Sequence, residues 1–271
     1  MTDFTLIFPH LILAGMVLAR LTGLFIYAPV LSSPLLPRIV KIFLVFSLTL
    51  AIYPSVFPTL QANGSFDVNW TVWNIVPALG YELIMGLILG YIAMLPMMGI
   101  QLAGHEIGQQ FGMAIASEAD PNLDSNSSVV GIILFYMALM LFFNLGGHRV
   151  LFVVMLDSFR HVPLGSFRVD STILEIMVGM LQTSYELAIR IAAPILCLML
   201  LQAVSLGFVS RTAPSFNILS LGFPLRVLVG MCGMIGALSV VNESIMNVLY
   251  DMLQGLLHLF SGGVPVPASG L

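Results

Sequence analysis

The sequence predicts an all-α membrane protein, a multi-helix hydrophobic bundle with kinked or broken helices and a C-terminal helical hairpin. Of its 271 residues, 59% are hydrophobic and 8% charged, with a mean hydropathy of +1.03. Soluble domains carry about a quarter charged residues. Several apolar runs approach or exceed the roughly 20 residues that a helix needs to cross about 30 Å of hydrocarbon. Prolines and glycines interrupt these runs, which is why kinks and breaks are expected. The whole chain, residues 1–271, reads as a single membrane domain: N-terminal helices over 1–168 with a central loop at 112–125, a helical hairpin over 169–256, and a flexible tail over 257–271.

The net charge of -4 is spread thinly, with no basic run that could follow a phosphate backbone, so nucleic-acid binding is excluded. Cys197 and Cys232 lie in apolar stretches without metal-ligand spacing and are expected to be buried, reduced thiols. The opening MTDFTLIF lacks the positive region and cleavage site of a removable signal, so the first apolar segment is expected to be retained.

Phe4 to Val30 is long enough to span, and its one charge, Arg20, needs a partner or a wet cavity, unless a shift of the helix lets it snorkel. Ser32 to Pro37 forms a turn. A second segment follows over Ile39 to Phe57, introduced by Arg38 and Lys41 and expected to end at Pro54 and Pro58, before a polar link at Gln61 to Asn69. The third, Ala78 to Leu95, contains Glu82 and the helix-packing pair Gly86 and Gly90, a seam of small residues where another helix can come close. Pro96 is expected to kink or break it.

Beyond Pro96, Met97, Ile100, Gly104, Ile107 and Phe111 alternate steps of three and four, which places them on one helical face. Gly104, Gly108 and Gly112 form a neighbouring stripe without side chains, suited to close packing. After Met113 the pattern dissolves into an acidic, irregular loop with Glu118, Asp120, Pro121 and Asp124. Ser127 or Ser128 is placed to cap the next helix, Val129 to Leu145. Gly146 and Gly147 stop that helix. Arg149 to Phe159 is too short to cross a bilayer alone and is expected to re-enter or lie at the interface.

Ile173 to Val209 and Ile218 to Met246, joined through Ser210 to Pro214, read as the hairpin. Glu186 and Arg190 are one turn apart on its first helix and are expected to pair. No internal repeat is visible. The positive-inside rule does not choose an orientation, because Arg38, Lys41 and Arg211 fall on one side and Arg149, Arg160 and Arg168 on the other.

His105 and Glu106 begin like the H-E-x-x-H zinc motif, but Gln109 stands where the second imidazole belongs, and an amide is a poor zinc ligand. No nucleophile elbow or phosphate loop occurs. A transporter relay through Arg20, Glu82, Glu106 and Arg190 is the polar alternative, and those groups show no common site. The chain is therefore expected to be no enzyme, with no catalytic residue, metal or cofactor.

Three blocks carry a resemblance. The first is Ala103, Gly104, Gly108, Gln110, Gly112, Asp120 and Pro121; the second is Asn144, Gly147, His148, Asp157, Phe159, Pro163 and Gly165; the third is Ala213, Pro214, Gly222, Phe223, Pro224 and Gly230. In this order the chain resembles the FliR family of flagellar type III export-gate proteins, homologous to the T component of injectisomes. One position departs: the family commonly has Glu directly after the first glycine, where this chain has His105 followed by Glu106.

The resemblance implies a subunit of the bacterial inner membrane, within the flagellar basal body. It would complete a secretion pore with FliP-like and FliQ-like subunits, against membrane lipid, with an FlhB-like protein at the entrance and unfolded export substrates in transit. The last hairpin would be FliQ-like. The resemblance also implies a plug loop that closes the pore, carried by Phe111, Gly112, Met113, Ala114, Ile115, Ala116, Ser117, Glu118, Ala119, Asp120 and Pro121. Composition agrees with that role: Phe111, Met113 and Ile115 supply apolar bulk able to dewet a narrow passage, and irregular backbone at membrane depth must be buried in protein or line water. An injectisome T component, or a secondary transporter, are the alternatives.

Overall fold

The computed structural model describes residues 2–33, 36–62, 72–112, 128–165, 171–212 and 218–261. Among these residues there is no strand. The helices are α1 (Thr2–Tyr27), α2 (Arg38–Ala62), α3 (Val72–Gln110), α4 (Val129–Asn144), α5 (Gly147–His161), α6 (Ser171–Thr212) and α7 (Ile218–Ser261). Among the described residues five helices are long and apolar enough to cross a membrane, and α4 with α5 forms a further pair bent by 64°. The bend falls at Leu145 and Gly146, and Gly146 has φ 68°, a left-handed conformation that glycine adopts without strain.

Prolines break fewer helices than the sequence suggests. Pro54 and Pro58 lie inside α2, and α3 runs unbroken through Pro96. Both prolines of α2 are on its exposed side, where the helix can bend away from the clash between the ring and the preceding turn. Spanning helices also tolerate the lost hydrogen bond better than soluble ones, because neighbouring groups can satisfy the freed carbonyl. At the other end of the chain α7 continues past Met246 to Ser261, and residues 262–271, in the expected tail, lie outside the described residues.

The chain divides into two compact units, Met1–Leu95 with Phe143–Met180 and Asp251–Leu271, and Pro96–Phe142 with Leu181–Tyr250. In the first unit α1 buries Leu13, Met16, Val17, Arg20, Leu21 and Leu24, the stripe that a helix presents to one neighbour. From Arg20 to Leu24 a neighbour is α3, and glycine lets the two backbones nearly touch. A Cβ at Gly86 would overlap the carbonyl oxygen of Arg20, one at Gly23 would overlap that of Leu83, and one at Gly90 would crowd that of Leu24. Against α2, His10 stacks on Phe57, and its Nδ1 lies 2.8 Å from the Tyr53 hydroxyl.

At this crossing Arg20 and Glu82 are both 0% exposed, and Arg20 Nε donates to Glu82 Oε2 at 2.6 Å. The rest of the guanidinium is also occupied. Nη1 donates to Ser158 Oγ at 3.0 Å, Nη2 to the Val162 carbonyl at 3.3 Å, and the group sits 4.3 Å from the centre of the Phe159 ring. The other Glu82 oxygen accepts the Gly165 N–H at 2.8 Å, where the backbone has φ 76°. The arginine therefore pairs rather than snorkels, and the pair ties α1 and α3 to α5 and the turn after it.

In the hairpin, Met180 lies beside Gly255 in the first unit and Leu198 beside Gly233 in the second, which fixes α6 and α7 as antiparallel. Glu186 and Arg190 form no ion pair: the Glu186 carboxylate instead accepts from Gln182 at 3.1 Å. Cys197 and Cys232 are exposed rather than buried. Among the described residues only 39% of the membrane-length stretch of α6 and 11% of that of α7 are buried, so an apolar position in this hairpin is often an exposed one.

Removing one member of the buried pair leaves the other as an uncompensated charge. Glu82→Gln is expected to destabilise the purified protein by about 3 to 5 kcal/mol, whereas Arg20→Met with Glu82→Met should recover most of that loss. Thermal unfolding in detergent checks this. Equal loss in the single and double variants would show that the pair does not carry the crossing.

Candidate functional site

The second unit is built around the last four turns of α3. Met97, Ile100, Ala103, Ile107 and Phe111 are at most 4% exposed, and Gly104 and Gly108 are buried with them. Gln101, Glu106, Gln109 and Gln110 lie on the opposite, exposed side. A helix with one dry face and one amide-rich face at membrane depth faces protein or water on the second, because lipid offers no hydrogen bonds.

Glycines again set the approach. A side chain at Gly99 would overlap the Ser184 backbone on α6, and one at Gly104 would overlap the Gly131 backbone on α4. Ser128 closes the same contact: its hydroxyl donates to the Gly104 carbonyl at 3.0 Å and accepts the Gly131 N–H at 3.4 Å, capping α4.

At the end of α3 the chain is held by two reciprocal contacts with α7. The ring of Phe111 occupies the place where Gly230 would carry a Cβ, and the ring of Phe223 lies against Gly112. Gly112 has φ 85° and its N–H bonds to the Gln109 carbonyl at 3.0 Å, so it is the left-handed residue that ends the helix. Phe223 and Gly230 are two helical turns apart on one face of α7, which is why a single chain end meets both. Pro224, next to Phe223, stiffens that turn.

Met113, Ala114, Ile115, Ala116, Ser117, Glu118, Ala119, Asp120 and Pro121, together with Pro214, lie outside the described residues. Of the remaining motif residues, Gly147 is buried at the start of α5, and the exposed His148 lies 5.5 Å from the Phe143 ring. Gln110 is exposed, and Gly222 is half-buried. Sequence reasoning overlooked Gly131 and Ser184. A lone glycine among the bulky residues of α4 was the available signal for the first. Nothing in the sequence marked the second.

Gln109 Nε2 donates to His105 Nε2 at 2.8 Å, so the residue in place of the second imidazole bonds to the first. Among the described residues no group of three His, Cys, Asp or Glu side chains could hold a metal ion. What the residues do is fix the end of a helix, and with it the start of the segment that follows.

The sequence matches the family described as bacterial export proteins, family 1, over residues 11–252. It is 28% identical over 250 residues to the flagellar biosynthetic protein FliR of Escherichia coli (strain K12), an alignment that covers 88% of this chain and 92% of that protein. It is 30% identical over 214 residues to Yop proteins translocation protein T of Yersinia pestis, covering 78% and 80%. With the FliR of Bacillus subtilis (strain 168) it shares 24% over 259 residues, covering 94% and 96%.

Because Gly104 meets backbone rather than a yielding side chain, Gly104→Leu should cost about 1 to 3 kcal/mol. Gly236, with nothing within 4 Å of its added Cβ, serves as the control. Gly236→Leu is expected to stay within about 0.5 kcal/mol of the parent in the same thermal measurement. Equal effects of the two would contradict the close packing of α3 on α4.

Proposed function

The chain belongs to the bacterial export proteins of family 1, and from that membership we propose that it is a non-enzymatic subunit of the flagellar type III protein export gate. It completes a secretion pore in the bacterial inner membrane, at the flagellar basal body, with FliP-like and FliQ-like subunits. An FlhB-like protein stands at the entrance, and unfolded export substrates pass through. The observation that carries this reading is the near-complete alignment with FliR proteins.

The exposure of the spanning helices supports a life among partner chains. Ile189, Leu200, Leu201, Phe208, Leu228 and Ile235 are each more than 60% exposed along the hairpin. Surface of this kind is stable only against lipid or other apolar helices.

The segment Phe111 to Ser125 closes the pore. Its first two residues are held by α7 through the Phe111–Gly230 and Phe223–Gly112 contacts, so the segment starts from a fixed point. Apolar residues at Phe111, Met113 and Ile115 exclude water from a narrow passage, and the Met113 thioether conforms to cargo. Glu118, Asp120 and Asp124 keep the remainder hydrated. The same role in an injectisome is the second reading, supported by the similarity to the Yop translocation protein.

Deleting Gly112 to Asn122 in the assembled complex should raise ion conductance across the membrane several-fold while assembly continues. Conductance at the parental level in a normally assembled deletion complex would overturn the closure role.

A further inference from the structure

The first unit contains an apolar groove of about 710 Å³ between α1 and α2. Leu18, Phe25 and Ile26 form its α1 wall, and Ile39, Ile42 and Phe46 line its α2 wall. The α2 side is bare within the chain: Ile39 is 80% exposed and Ile42 70%. Thr22 also lines the groove, but its hydroxyl donates to the Leu18 carbonyl at 2.7 Å, so it leaves no polar demand in the wall.

One end of the groove is cationic. Lys41 lines it, and its ammonium is held there by donation to the Ser32 carbonyl at 3.0 Å, with further protons to give. Arg38 is exposed at the first residue of the same helix and pairs with no carboxylate among the described residues. The positive end of the α2 dipole adds to both. From Ile39 to Phe46 the wall runs about 10 Å along the helix axis at 1.5 Å per residue. Cations at one end and a dry groove leading away from them match an amphiphile with an anionic head.

We propose that this groove binds one anionic phospholipid of the surrounding membrane, with its phosphate between Arg38 and Lys41 and the upper part of an acyl chain along the α1–α2 walls. An apolar partner helix in the same place would cover two cations without supplying a counter-charge, which is costly. A phospholipid brings the apolar chain and the charge together, and juxtamembrane Lys and Arg favour anionic over zwitterionic head groups. The site depends on the chain's being a membrane protein and not on its role in export.

The full chain in detergent, titrated with phosphatidylglycerol or with phosphatidylcholine and weighed intact by native mass spectrometry, tests the assignment. One phosphatidylglycerol should be retained about tenfold more tightly than phosphatidylcholine, and R38Q with K41Q should abolish that preference. Ile42→Trp, which fills the groove and leaves the charges, should weaken both lipids. Thermal unfolding of each variant establishes that it is folded, and K41R should restore the preference if a charge variant has lost it. Equal binding of the two lipids, or an unchanged preference in the folded charge variant, overturns the site. So does a complex with partner chains in which a protein segment occupies the groove and no lipid is retained.

Discussion

A buried arginine must find its counter-charge, and in the first unit that requirement fixes where three parts of the chain can be. Arg20 reaches Glu82 only because α1 and α3 approach to backbone contact, and they do so only because Gly23, Gly86 and Gly90 carry no side chain. Glu82 and Gly86 are one turn apart, so the glycine that permits the approach and the carboxylate that uses it act at one level of the crossing. Ser158, Val162 and Gly165 then complete the coordination of both charges. Removing two ions from water costs several kcal/mol each, repaid only when geometry is good and remaining hydrogen bonds are filled. Here both conditions hold, which makes this arrangement much more favourable than any in which α1 slides or rotates on α3.

The second unit uses the same device without charge. Gly99 and Gly104 bring α3 against Ser184 and Gly131, and the end of the helix is fixed by rings set against glycines on α7. Backbone-to-backbone packing of this kind suits a membrane, where apolar side chains gain little by leaving lipid and close van der Waals contact with interhelical hydrogen bonds must supply the association. The Ser128 hydroxyl, shared between Gly104 and Gly131, is one such bond.

Local patterns were readable from the residues and pairings were not. The face made by Met97, Ile100, Gly104, Ile107 and Phe111 follows from spacing alone and is buried throughout. Arg20 was recognisable as a charge in need of a partner, but 62 positions separate it from Glu82, and the expectation that the two share no site was wrong. For Glu186 the nearest candidate, Arg190, was the natural choice, and an exposed helix face satisfied it with Gln182 instead. The prolines misled for a different reason: their cost in soluble helices overstates their effect in long apolar ones. Cysteine burial failed because an apolar neighbourhood in sequence means burial in a soluble core, whereas in a spanning hairpin it means contact with lipid or another chain. Family membership, finally, was carried by three ordered motif blocks whose physical roles differ: Gly104 of the first packs on Gly131, Gly147 of the second begins a helix after a sharp bend, and Gly230 of the third leaves room for the Phe111 ring.

The helices with the least internal burial, α2 and α7, are those that most need neighbours, and the proposed function places those neighbours in other chains rather than in copies of this one. The mass of the intact particle decides this. When the chain is co-expressed with FliP-like and FliQ-like subunits and purified through a tag on the chain, native mass spectrometry should show a single hetero-oligomer containing all three. A tagged chain that emerges as a monomer or as a symmetric homo-oligomer, with both other subunits present in the same membranes and absent from the particle, would contradict the assignment.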